Sequence, residues 1–417
     1  MDKKYDKAKE KLKQYKQEHL LIWYDKLIEQ KREELLNQIL KIDFEQIEEL
    51  YKQTKRKQDF KDSAIGPISY MDKEKLSKEE RTAYEEEGIR AIKEGKYAVV
   101  TMAGGQGTRL GHNGPKGTFE LEVGEKAPIP LFTILAQTIL KARKKYNAVI
   151  PWYIMTSREN NYKTTNFFER HNYFGMGQEN VTFFIQNELP MVDVKGKILV
   201  DEKGLVKLAA DGHGGIFEAM RNDGVIADMK KRGIEWVFIA GVDNVLAKMV
   251  DPVLTGMAIK NKCFAAGKSV VKNNPKERVG VFCKKDNRPS VIEYTEITDE
   301  MAEATDEAGE LLYGESHILC NLFHIKAIHE IAKNKLPYHS AFKKAKYIDK
   351  NGVIVVPEVP NAYKFESFLF DAFEKLDNMA IMRVKREEEF APVKNAEGVD
   401  SPETASKLYM DFMKHHK

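Results

Sequence analysis

At 417 residues the chain is too long for one minimal core, and a length-based prior gives it two or three units. Hydrophobic residues make up 42% and charged residues 31%, a balance too apolar for a disordered chain. The net charge of +3 is a small difference between 67 basic and 64 acidic side chains, mixed rather than clustered, so nucleic acid is not an expected partner. Cys263, Cys283 and Cys320 lie far apart without CxxC spacing, which argues against a disulfide framework or structural zinc and fits a reducing compartment. The opening MDKKYDKAKEKLKQYKQ has no apolar stretch, so no signal peptide is expected. The longest apolar runs fall short of the ~20 residues needed to cross a bilayer, and the expectation is a soluble, cytoplasmic protein without a membrane partner. Nothing in the sequence marks an oligomeric state.

Residues 1–95 form an expected helical N-terminal region, with Leu20, Leu21, Trp23, Leu27, Ile28, Leu35, Ile39 and Leu40 at helical spacing among Lys and Glu. Such a helix can serve a membrane or a partner; the interspersed acids and bases favour a surface helix packed on the next domain. Ser77-Lys78-Glu79-Glu80 has the form of a capping box and opens a helix running to about Glu94, where Gly95 ends it. From Tyr97 the texture changes. YAVVTMA reads as a buried strand, and further strand-like runs follow at 149–155, 181–185, 236–240 and 264–271. Helical stretches at 131–144, 216–232 and 250–261 alternate with them, which implies a mainly parallel sheet covered on both faces. Shorter strand-like runs continue after about 275. The expected division is a helical region 1–95, an α/β catalytic core 96–340 and a small mixed C-terminal domain 341–417 that contributes Lys394.

The most informative stretch is Met102-Ala103-Gly104-Gly105-Gln106-Gly107-Thr108-Arg109-Leu110-Gly111, followed by Gly114-Pro115-Lys116-Gly117. It leaves the carboxyl end of a buried strand, where open α/β sheets bind ligands. Glycines let backbone N–H groups wrap phosphate oxygens, and Arg109 and Lys116 bring positive charge beside them. A Walker A loop would need Lys-Ser or Lys-Thr after the last glycine, and the dinucleotide fingerprint would need a glycine where Leu110 sits.

GGQGTRLG with the following PKG resembles the signature of the UDP-sugar pyrophosphorylases, especially the UDP-N-acetylhexosamine pyrophosphorylase branch. The resemblance runs from about residue 84 to 405. It implies a Rossmann-like nucleotidyltransferase core, a helical N-terminal region and a small C-terminal domain. It further implies that Mg²⁺ assists transfer between UTP and a sugar 1-phosphate, giving a UDP-sugar and pyrophosphate.

Further motifs follow in the family's order. In Phe184-Ile185-Gln186-Asn187-Glu188, the matching glutamine reads the uracil edge, a task suited to an amide that donates and accepts side by side. Asp211-Gly212-His213-Gly214-Gly215 ends a loop at a helix start, so Gly212 and His213 join the nucleotide set. The acetylhexosamine enzymes have Asn where His213 stands, while Gly-His-Gly is closer to the UDP-glucose and broad-specificity enzymes. The sugar therefore stays open among N-acetylglucosamine, glucose and galactose.

Trp236-Val237-Phe238-Ile239-Ala240-Gly241-Val242-Asp243-Asn244 is a strand ending in a carboxylate, and the resemblance makes Asp243 the Mg²⁺ ligand. Gly280, Glu293 and Asn321 match positions implied to touch the sugar, although Glu315-Ser316-His317 replaces the family's Gly-Asn before Asn321. Lys364, Phe368 and Phe370 match a block that closes the sugar pocket, while on helical spacing Phe365, Phe368, Leu369 and Phe373 read as a core stripe. Lys394 matches a lysine that reaches the phosphates, where related nucleotidyltransferases use a second metal carboxylate.

Two other readings remain. A glycosyltransferase on a related fold would carry Asp-x-Asp at the strand end instead of Val242-Asp243-Asn244. A non-catalytic UTP or UDP-sugar sensor would have lost one of Arg109, Lys116, Asp243 or Lys394, and all four are present.

Overall fold

A computed structural model describes residues 2–55, 63–124 and 126–415. Its contacts divide the chain into two units, neither of them continuous. The smaller unit comprises 1–62, 187–215 and 336–368; the larger comprises 63–186, 216–335 and 369–417.

The larger unit is built on an eleven-stranded sheet: β1 (Ile65–Pro67), β2 (Met71–Asp72), β3 (Tyr97–Met102), β4 (Trp152–Thr156), β5 (Val181–Ile185), β6 (Trp236–Gly241), β7 (Ala265–Val271), β8 (Val281–Lys285), β9 (Arg288–Ile292), β10 (Glu315–His324) and β11 (Ala380–Arg383). The main path runs β2-β11-β7-β10-β6-β3-β4-β5, with β8 pairing β1, β9 and β10 beside it. Along the main path every pairing is parallel except those of β10, which runs antiparallel to both β7 and β6. All residues of β3 and β6 are buried, as expected for central strands covered on both faces. The helix Lys78–Lys93 carries the full capping box, with Ser77 accepting from Glu80 N–H and Glu80 accepting from Ser77 N–H. Leu131–Tyr146 packs its Phe132, Leu135 and Ile139 into the core beside Trp152 and Phe168.

The pairing register fixes the functional edge. Gly241 of β6 lies opposite Met102 of β3, Met102 opposite Met155 of β4, and Thr156 opposite Ile185 of β5. The glycine loop, Ser157–Asn160, Gln186 and Asp243 therefore all leave the sheet at the carboxyl ends of neighbouring parallel strands.

In the smaller unit, the helices Asp2–Gln14, Glu29–Lys41 and Phe44–Gln53 bury Leu12, Leu35, Ile39, Ile47 and Leu50 against Val192, Ile198, Val206 and Phe365. Gln17 accepts from Ile198 N–H at 3.1 Å and donates to Gly196 O at 3.0 Å, tying the N-terminal segment to the 196–198 turn. Its central sheet is the antiparallel triplet His339–Lys343, Ala362–Glu366 and Val192–Asp193.

Four expectations are corrected. The helical region 1–95 is not one element: residues 63–95 supply β1, β2 and a helix to the larger unit, while the earlier helices share a core with 187–215 and 336–368. The segment 341–417 is not a separate domain either, because β11 inserts between β2 and β7 while 341–368 pairs within the smaller unit. Nor do Phe365, Phe368 and Phe373 share a helical stripe. Phe365 sits in the strand Ala362–Glu366, and Phe373 in a 3₁₀ segment, Leu369–Lys375. The helix expected over 216–232 is interrupted at Gly224, which takes φ +75° between Ile216–Asn222 and Val225–Lys231.

Candidate active site

The loop after β3 folds back on itself. Gly107 N–H donates to Gly114 O at 2.9 Å and Lys116 N–H to Gly105 O at 3.1 Å, with Gln106 bridged to Pro115. This return brings Lys116 to the strand end, where its Nζ lies 3.2 Å from Oδ2 of Asp243. The loop is anchored by a residue that sequence reasoning missed. Asn160, fully buried, donates from Nδ2 to Ala103 O at 2.9 Å and to Gly105 O at 3.2 Å. Its Oδ1 accepts from Ser157 N–H, so one side chain clamps two chain reversals. No motif announces it; it reads as an ordinary loop asparagine.

Gly104 packs closely against Gln186. A Cβ there would lie 2.6 Å from Oε1 of Gln186, whose backbone N–H is bonded to Thr156 O at 2.8 Å. The expected base reader thus lies directly against the expected phosphate loop. Arg109 is exposed in the 3₁₀ turn Thr108–Leu110 and makes no ion pair among the described residues. Met102 and Ala103 are buried, whereas Gly105 and Thr108 are exposed.

Asp243 is joined to the C-terminal segment by its main chain. Val393 N–H donates to Asp243 O at 3.0 Å, and Asn244 bridges to Pro392. The Asn244 side chain donates to Glu389 O at 2.8 Å and accepts from Ala391 N–H at 2.9 Å. Ala391 and Val393 are buried beside Val245 and Leu246. Lys394 therefore emerges next to Asp243 with an exposed side chain, paired to Asp400 at 3.6 Å. Burial pushes the Asp243 carboxyl up, but Lys116 and then Lys394 outweigh it and hold the group below its ordinary range. The site therefore favours an ionised carboxylate, with Lys116 in contact and the charge of Lys394 adding to the effect. Among the described residues no cluster of three or more His, Cys, Asp or Glu could hold a metal. A single ionised carboxylate at a strand end still fits Mg²⁺, which takes one or two carboxylates and completes its shell with phosphate oxygens and water.

Beneath this edge lies a buried ion network. Lys268, fully buried, has Nζ at 2.7 Å from Asp251 and 2.5 Å from Glu389, and Lys73 reaches Glu389 at 3.0 Å. Burial pushes both carboxyls up, but Lys268 and Lys73 more than compensate and hold them low. Burial pushes the Cys283 and Cys320 thiols up to about 12 and also raises Cys263, which favours the neutral thiol in all three.

The larger unit also gathers the sugar-side candidates Gly280, Glu293, Asn321 and Phe370. A Cβ on Gly280 would lie 3.1 Å from Glu293 Oε1, and Gly280 O accepts from His317 N–H at 2.8 Å. Asn321 is fully buried on β10, and its amide lies 3.2 Å from Nε2 of His317. Phe370 meets His317 edge-on at 5.9 Å. The strand is bulged here: Asn321 pairs with Gly267 and His317 with Ser269, so three residues, 318–320, face Lys268 alone. Leu319 takes φ +54°, a left-handed conformation that costs a non-glycine residue about 1–3 kcal/mol.

The smaller unit holds Gly212, His213, Lys364 and Phe368. Gly212 takes φ +86°, and a Cβ there would strike Ser367 O at 2.2 Å. Phe368 stacks on His339 at 4.8 Å and tilts against His213 at 5.5 Å, while Lys364 pairs with Glu366 at 2.7 Å. The candidates thus fall into two groups, one in each unit.

Residues 41–409 match the family model described as UTP–glucose-1-phosphate uridylyltransferase. The chain is 40% identical to the human UDP-N-acetylhexosamine pyrophosphorylase-like protein 1 over 78% of its own length and 66% of that protein's. It is 37% identical to UDP-N-acetylglucosamine diphosphorylase 2 of Arabidopsis thaliana, covering 96% of this chain and 82% of the relative. The crystal structure of the uridine diphosphate N-acetylglucosamine pyrophosphorylase from Trypanosoma brucei in complex with inhibitor superposes with a TM-score of 0.82. That structure is 30% identical, over 97% of this chain and 84% of that one. Among the described residues no helix is long and apolar enough to cross a membrane.

Proposed function

Since the chain belongs to the UTP–glucose-1-phosphate uridylyltransferase family, and is a nucleotidyltransferase, we propose that it couples UTP to N-acetylglucosamine 1-phosphate. The products are UDP-N-acetylglucosamine and pyrophosphate. The observation that carries this reading is the meeting of the glycine loop, Gln186, Lys116 and Asp243 at one edge of the sheet. The sugar follows the acetylglucosamine names of the relatives above; His213 keeps glucose and galactose in the test.

The chemistry is an in-line displacement. A phosphate oxygen of the sugar 1-phosphate attacks the α-phosphorus of UTP, and the bond to the departing pyrophosphate breaks. No general base is needed, because a phosphate monoester with a second pKa near about 6 is largely ionised at neutral pH. Both reactants are anionic, so the protein's tasks are alignment and charge cancellation. In this proposal the loop 102–108 holds the triphosphate, and Gln186 reads the uracil. Arg109 and Lys116 steady the nucleotide and leaving group, and Lys394 steadies the incoming phosphate. Mg²⁺, when bound at Asp243, would supply further neutralisation of the phosphate oxygens. Gly280, Glu293, Asn321 and Phe370 line the sugar side, and Gly212, His213, Lys364 and Phe368 keep the roles that the family likeness implies. Three buried free thiols support a reducing, cytoplasmic setting.

Pyrophosphate release tests the reading with UTP, Mg²⁺ and a panel of N-acetylglucosamine, N-acetylgalactosamine, glucose and galactose 1-phosphates. Turnover fastest with N-acetylglucosamine 1-phosphate is expected. UTP binding without release on any sugar would favour a sensor instead.

A further inference from the structure

His317 stands outside the pattern of the family that the sequence resembles, yet it touches two of the sugar-side candidates at once. Its backbone N–H holds Gly280 O at 2.8 Å, and its Nε2 lies 3.2 Å from both Oδ1 and Nδ2 of Asn321. On a regular strand these two side chains could not meet. A rise of about 3.3 Å per residue would separate positions four apart by roughly 13 Å. The bulge at 318–320, with Leu319 at φ +54°, shortens that span. The imidazole is itself fixed in direction by three rings met edge-on: Phe282 at 5.0 Å, Phe373 at 5.7 Å and Phe370 at 5.9 Å. It remains only half-buried, while Asn321 is fully buried.

We propose that His317 is a positioning residue that sets sugar preference by fixing the orientation of the Asn321 amide and the place of the Gly280 carbonyl. The inference rests on the proposed uridylyltransfer and names a determinant of its sugar selectivity. The physical reason is that an amide is two-sided. An imidazole nitrogen that donates takes up Oδ1 and leaves the Nδ2 hydrogens for the sugar; one that accepts takes up Nδ2 and leaves Oδ1. Without the imidazole the amide could rotate, and its discrimination between an acetamido and a hydroxyl substituent would fade. The bulge supports this assignment, because a strained backbone is kept where it re-aims a side chain.

The test is steady-state kinetics on wild type, His317→Phe, His317→Gln, Asn321→Ala and the double variant His317→Phe/Asn321→Ala, with UTP affinity measured by calorimetry. His317→Phe keeps a ring among the three phenylalanines and removes the nitrogen. It should raise KM for N-acetylglucosamine 1-phosphate roughly tenfold, the scale of one lost hydrogen bond to a buried group, and leave UTP affinity within about twofold. Preference for the N-acetylglucosamine over the glucose substrate should fall with it. His317→Gln, which returns a nitrogen and an oxygen to the same reach, should recover most of the loss. Adding His317→Phe to Asn321→Ala should cost less than about twofold further. An unchanged sugar KM and preference in His317→Phe, beside a raised KM in Asn321→Ala, would overturn the positioning role and leave the function standing. Strict additivity, or loss of UTP affinity in both His317 variants, would overturn it as well. Wild-type protein that turns over no sugar 1-phosphate would remove the uridylyltransfer reading, and this inference with it.

Discussion

Replacing Lys268 with methionine removes the nearer and more deeply buried of two ammonium groups, Lys268 and Lys73, that reach both Asp251 and Glu389. The lysine is fully buried, its partners are 4% and 2% exposed, and the distances are 2.7 and 2.5 Å. Methionine fills much of the same volume, so the loss is mainly electrostatic: two buried carboxylates are left with Lys73 and the more exposed Lys248. Breaking a buried pair in this way costs about 3–5 kcal/mol at neutral pH. For a unit this large that is a fall in Tm of roughly 10 °C. The loss should also depend on pH, with a definite sign. In the wild type both carboxyls are held below their unfolded values, so their contribution is present above the unfolded pKa and is lost only as pH falls through the folded one. In the variant, burial prevails and raises at least one of them, so protonation relieves the penalty as pH falls. Denaturant melts of the two proteins at pH 7 and about pH 5 should therefore converge at the lower pH. A loss under about 1 kcal/mol, or one of equal size at both pH values, would refute the reasoning.

Lys116→Ala and Lys394→Ala should each lower kcat about 10²–10³-fold while Tm moves by only a few degrees, as for groups aimed at transition-state charge; unchanged turnover in both would remove their assigned roles. Asp243→Asn should flatten the dependence of rate on Mg²⁺ concentration, and a titration identical to wild type would place the metal elsewhere. Asn160→Ala releases two loop carbonyls and should raise KM for UTP about tenfold with little change in KM for the sugar. An unaltered KM for UTP would mean that the loop needs no clamp.

What was legible in the sequence was local. The strand YAVVTM and its glycine loop, the strand ending at Asp243 and the capping box of Ser77 and Glu80 all carry their signals within about ten residues, and each forms in place. What escaped depends on distant partners. Val192 and Phe365 belong to the core of the N-terminal helices, a pairing that no local period reveals, so the three consecutive domains gave way to two interleaved units. The aromatic spacing at 365–373 suggested a helix because period alone cannot see that Tyr363 and Lys364 pair with Phe342 and Ala341 in a strand. Asn160 and the bulge at 318–320 were invisible for the same reason. One is an asparagine defined by the carbonyls it clamps, the other a leucine in a conformation that leucine does not favour.

The most direct test is a crystal of the protein soaked with UTP and Mg²⁺. The triphosphate should lie along residues 104–109 with the metal at Asp243 and the uracil edge against Gln186. Nucleotide density elsewhere, with that loop empty at saturating UTP, would contradict the account.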